Sequence, residues 1–278
     1  MTRVPGEFRV KPPNSTMSLL VEIIDHILGF LQDDPITLDE CSGVFPEELV
    51  DRHLYANITI PGNTENSQGG PTVFLRFNPE NFNVHLMNHP RVASYVRNLR
   101  IVIYGRSAIH RKVPSILSQL SRVESTRLSG HNALRWVDFS KRFRTVFTDH
   151  LKLPTIRMIS ITGIEGFPLS AFDECKNLRK LSLIGKFSED DSPSTSSPYP
   201  LQHLEVTPQT SPRRFLSWAK TNTLHTLSFN FQNLQYHGTP LFPDILQGFS
   251  STLVNLELDF GHCKPSYLPM SNQIHTLR

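Results

Sequence analysis

One short pattern returns through the chain and limits what it can fold into: apolar, two spacers, apolar, one spacer, apolar. It stands at Val96/Leu99/Ile101, Val123/Thr126/Leu128, Ile156/Ile159/Ile161 and Leu178/Leu181/Leu183. It continues at Leu201/Leu204/Val206, Leu224/Leu227/Phe229 and Leu253/Leu256/Leu258, and opens again at Ile274/Leu277. Thr72/Leu75/Phe77 is a weaker earlier copy. The first positions lie 27, 33, 22, 23, 23, 29 and 21 residues apart. Residues two apart share one face of a strand, so each copy predicts a short strand with one buried face. Stretches 113–120, 212–220 and 243–249 between the copies read as helix-like. The chain therefore reads as an α/β fold of stacked units, each a strand plus a helix or turn.

The N-terminal part obeys a different period. From Met17 to Leu31, Leu20, Ile23, Ile24, Ile27, Leu28 and Leu31 recur at the three- and four-residue steps of a helix stripe. Asp33, Asp34 and Pro35 stop that helix, and Leu38, Cys41 and Val44 mark a second, with Thr37 as a candidate N-cap. Between Met17 and Asp51 there are nine Asp or Glu and no Lys or Arg. Two or three short helices cannot bury such stripes against one another, so the rest of the chain or another protein must cover them.

The run L-L-V-E-I-I-x-x-I-L-x-x-L, then D-D-P, then L-x-x-C-S-x-V, resembles the F-box. More closely, it is similar to the F-box-like segment that opens many fungal F-box proteins. The resemblance spans about 35 residues and continues through Arg52-His53-Leu54-Tyr55 into Ile58-Thr59-Ile60. Leu20 replaces the family's usual Pro, and the Trp that usually follows the C-S-x-V block is absent. The repeat spacing in turn resembles an irregular leucine-rich repeat, which implies a horseshoe-shaped solenoid. Expected domains are a disordered stretch 1–16, an F-box-like segment 17–55, a linker 56–71 and a solenoid 72–278 cut short at its C-terminus.

The family uses its opening segment to bind the Skp-type adaptor of a cullin ubiquitin ligase. The resemblance assigns that contact to Leu19, Leu20, Ile23, Ile24, Ile27, Leu28, Leu31, Leu38 and Val44. It implies a substrate-recognition subunit whose C-terminal domain holds a protein substrate. The rival readings are a free-standing repeat scaffold, in which the helices only cap the solenoid, and an unrecognised enzyme.

Charge is unevenly spread. Between Arg91 and Arg157, fourteen Lys or Arg face Glu124, Asp138 and Asp149, a net of +11 within a chain of +3. A solvated basic face is the plainest account of this block. A surface for an acidic or phosphorylated substrate comes second, with Arg135, Arg142 and Arg144 as candidate contacts. Nucleic acid is third: Trp136 and Phe139 lie in the block, yet no nucleic-acid motif does. The polar stretch SEDDSPSTSSPYP, with Ser192-Pro193 and Ser197-Pro198, reads as a loop inserted between two units.

Catalysis finds no motif. There is no Gly-rich phosphate loop, G-x-S-x-G, H-E-x-x-H or paired Cys, and His262-Cys263 alone does not make a metal site. No catalytic residue, metal or cofactor is expected. Three scattered cysteines fit reduced thiols in cytosol or nucleus, and no apolar run reaches eighteen residues, so no membrane span is expected.

Overall fold

Parallel strands cannot be joined by tight turns, so a sheet made only of them needs a long crossover between each pair. That requirement organises this chain. The computed structural model describes residues 15–31, 34–61, 75–104, 111–188, 200–207, 223–230 and 252–259. Three helices come first: α1 (Ser15–Leu31), α2 (Pro35–Cys41) and α3 (Glu47–Leu54). The strands are β1 (Asn57–Pro61), β2 (Leu75–Arg76), β3 (Asn98–Tyr104), β4 (Ser125–Arg135) and β5 (Met158–Glu165), then β6 (Phe167–Pro168), β7 (Lys180–Ile184), β8 (Phe187–Ser188), β9 (His203–Val206), β10 (Thr226–Asn230) and β11 (Asn255–Asp259). Between them run α4 (Pro79–Asn88), α5 (Val113–Leu117) and α6 (Lys141–Leu151).

Among the described residues nine strands form one all-parallel sheet in the order β11-β10-β9-β7-β5-β4-β3-β1-β2, and β6 and β8 pair separately. The fold is therefore α/β, as the pattern requires, but it is not the expected leucine-rich-repeat horseshoe. In stacked repeats each unit touches only its sequence neighbours. Here β1 lies between β2 and β3, so the chain steps outward to β2 and returns past β1. The strands β3, β4 and β5 also run to 7, 11 and 8 residues, longer than one short strand per unit. The apolar pattern specifies a half-buried parallel strand and its neighbour, and any such sheet satisfies it.

The register agrees with the spacing. Leu99, Thr126, Ile159, Leu181, Leu204, Leu227 and Leu256 stand side by side across seven strands. Leu181 and Leu204 are neighbours and fully buried. The first apolar position of each copy from Val96 to Leu224 is buried just ahead of its strand. Asn57–Pro61, inside the expected linker, is a full strand that pairs with β3 along five residues. Residues 62–71 of that linker, residues 189–199 within the stretch SEDDSPSTSSPYP, and the C-terminal copy at Ile274 lie outside the described residues.

Helices α4, α5 and α6 lie side by side on one face of the sheet. The Ser140 hydroxyl caps α6 by accepting from the Phe143 amide at 3.2 Å. Under α6 gather Phe143, Phe147, Trp136 and Phe167, all buried. Trp136 and Phe139 are thus core residues, unavailable to stack on nucleic-acid bases. The β4–β5 pairing holds register to Ser129↔Thr162, breaks, and resumes at Leu134↔Ile164. Gly130 and Gly163 meet in this break; Gly163 has φ +67°, and a Cβ on it would run into the Gly130 carbonyl oxygen.

Candidate functional site

Helix α1 carries two apolar stripes where the sequence suggested one. Ile24, Leu28 and Leu31 turn inward, where they meet Leu38, Leu49 and Val50 in a small core separate from that of the sheet. Leu20, Ile23, Ile27 and Phe30, also spaced by three and four residues, turn outward. They are 58%, 49%, 44% and 76% exposed. Ile36 on α2 and Val44 in the following turn are exposed as well. A helical unit this small has room for one buried stripe only, so the second stripe is left over.

This sorts the residues the family resemblance assigned to an adaptor. Leu20, Ile23, Ile27 and Val44 are open to a partner. Leu28 and Leu38 are fully buried where α1 meets α2, so they shape the unit instead of touching a partner, and Ile24 and Leu31 pack half-buried beside them. The side chain of Leu19 lies outside the described residues. Phe30 and Ile36 were missed, although Phe30 completes the 20/23/27/30 row. The two stripes overlap in sequence, and their separation depends on which residue α2 and α3 cover.

The unit is held by polar contacts around its rim. The helix α2 is capped by Asp34 instead of Thr37: Pro35 fits the first helical turn, and the Asp34 carboxylate accepts from the Thr37 amide at 3.2 Å and from its hydroxyl at 2.6 Å. These bonds hold the Asp34 carboxyl below its ordinary pKa of 3.8. His53 on α3 reaches Asp25 on α1 at 2.9 Å, with Arg52 at 3.7 Å from the same carboxylate oxygen.

The basic candidates do not form one surface. Arg135 is turned onto Asp138, with bonds of 2.8 and 3.2 Å that neutralise it. Arg142 and Arg144 are two residues apart on α6 and so point in different directions, the first exposed and the second half-buried. Moreover α6 covers the apolar face of the sheet, where its His150 Nε2 lies 3.2 Å from the Thr126 hydroxyl.

The opposite face of the sheet is polar, with Arg127 and Glu257 exposed and Ser182 and Ser228 buried between them. Alternation turns out the lone spacer of each copy, giving a row of Arg100, Arg127, Ser160, Ser182, Glu205, Ser228 and Glu257 in register. Arg100 and Arg127 stand opposite each other, and neither has an ion-pair partner among the described residues. At the other end Glu205 and Glu257 line a shallow depression with Lys180 and His203. Burial, and next the Lys180 charge, hold the His203 pKa below its ordinary value. This row was readable in the sequence by taking the spacers alone, in order.

Among the described residues no three His, Cys, Asp or Glu side chains gather as a metal site, and no helix is long and apolar enough to cross a membrane. His262-Cys263 lies outside those residues. No protein-family model matches the chain, and no curated protein matches it in sequence.

Proposed function

We propose that this chain is the substrate-recognition subunit of a cullin-type ubiquitin ligase, working in cytosol or nucleus. The unit α1–α3 docks a Skp-type adaptor, and the sheet domain holds a protein substrate. The chain itself does no chemistry; it tethers substrate to the ligase and raises its effective concentration there. The observation that carries this reading is the outward row Leu20, Ile23, Ile27 and Phe30, with Ile36 and Val44 exposed on the same helical unit. A helical unit that served only as a cap would turn its spare stripe onto the sheet. A contiguous apolar patch left in water marks an interaction site, and an exposed aromatic such as Phe30 is a usual anchor.

The test is capture of the adaptor by the full chain and by an Ile23→Glu/Ile27→Glu variant. Both side chains are about half exposed, so the variant is expected to melt like the parent. In a contact that desolvates them, two unpaired carboxylates cost several kcal/mol, and capture is expected to fall at least a hundredfold. Undiminished capture by the folded variant, or no adaptor bound by the parent chain, sinks the docking model.

A further inference from the structure

Two arginines placed opposite each other on neighbouring strands destabilise a sheet. Arg100 and Arg127 stand so, without an ion-pair partner among the described residues, on the polar face of the sheet. The same row ends in Glu205 and Glu257, and between the two ends lie only small side chains, Ser160 and Ser182 on β5 and β7. The row therefore has a positive end, a low floor and a negative end. Among the described residues no ion pair accounts for that separation of charge.

We infer that this face binds an extended peptide segment lying across the strands, with an acidic residue at Arg100/Arg127 and a basic residue at Glu205/Glu257. From Arg127 to Glu205 is three strand spacings, about 14 Å, and to Glu257 five, about 24 Å. An extended peptide advances about 3.3 Å per residue, so its opposite charges stand roughly four to seven residues apart. Ser160 is the partly exposed low point of the row and Ser182 beside it is buried, and Lys180 beside Glu205 and Glu257 admits a polar residue between the two charges. A nucleic acid suits the face poorly, because phosphates drawn to the arginines would run on toward the two carboxylates. The inference rests on the proposed function in one respect: it supplies the class of substrate segment.

The probe is a random dodecapeptide library selected on the full-length chain at low salt. Selected peptides are expected to carry an acidic and a basic residue four to seven apart. They should lose at least tenfold in affinity for Arg100→Glu/Arg127→Glu protein and weaken between 50 and about 300 mM salt, as screening over about 8 Å requires. Exchanging the peptide's acidic residue for Lys should restore binding to the charge-reversed protein. The inference is overturned if no peptide is enriched, if enriched peptides bind the variant equally, or if a dT12 oligonucleotide binds better than any peptide. Adaptor capture is measured on the same variant. Because α1 packs on α2 and α3 and its core is separate from that of the sheet, capture should be unchanged, so loss of peptide binding with capture intact separates this inference from the docking model.

Discussion

Phe147→Ala is expected to destabilise the folded chain by about 3–5 kcal/mol, the range for deleting a fully buried aromatic ring. Phe147 is wholly buried beneath α6. It stacks on Phe143 at 5.6 Å and meets the edges of Trp136 at 6.0 Å and Phe167 at 6.2 Å. The ring therefore joins the helix layer to the strand ends, and surrounding rings are too stiff to collapse into the space it leaves. Urea unfolding should show a lower midpoint with an unchanged slope. Phe30→Ala is the control, because Phe30 is exposed and its loss should move the midpoint little. A Phe147→Ala cost below about 1 kcal/mol, smaller than the cavity cost of any well-packed ring, contradicts this core.

Acid should loosen the fold through His150 well before most carboxylates titrate. His150 lies under the sheet beside Thr126, and burial pushes its pKa from 6.5 down to about 4. Its Nδ1 approaches the Leu117 carbonyl without closing a well-formed hydrogen bond. The unfolded chain takes up this proton near pH 6.5, whereas the folded chain refuses it until about pH 4. The unfolded state thus binds more protons between those values. The contribution is fully present above pH 6.5 and is lost as pH falls, by about 3 kcal/mol at pH 4. Burial lowers the pKa of His85 and His203 as well, so they add to the same trend. Comparing urea midpoints of parent and His150→Gln from pH 7.5 to 4.5 isolates the one group. The variant should lose stability less steeply; parallel curves refute the assignment.

Strand existence and neighbour order were legible because a half-buried parallel strand leaves a local signature. Leu181 and Leu204 could be placed side by side from spacing alone. The first strand was not seen as part of the sheet, although Tyr55/Ile58/Ile60 follows the same pattern. An aromatic Tyr55 in the leading position disguised it. The doubling back at β2 was invisible, because strand order depends on contacts between residues far apart in the chain, and it is this step that excludes the horseshoe. On α1 the reverse happened: every apolar position was visible, but which of two overlapping stripes is covered depends on Leu38, Leu49 and Val50. The polar row of the sheet was hidden by counting charge along the chain. A net of +11 merged Arg100 and Arg127 with residues such as Arg135 and Arg142, which tertiary structure sends elsewhere.

The glycine break between β4 and β5 changes what the sequence of β5 means. Ahead of Gly163 the odd-numbered residues Ile159 and Ile161 are the buried ones; beyond it the buried residue is even-numbered, Ile164. The left-handed turn at Gly163 reverses the parity of the strand, while β4 reaches the same point through four residues, 130–133, set against that single glycine. An unbroken β5 would point Ile164 out among the residues of the polar face. Two side-chain-free positions in contact thus decide which of the next residues belong inside.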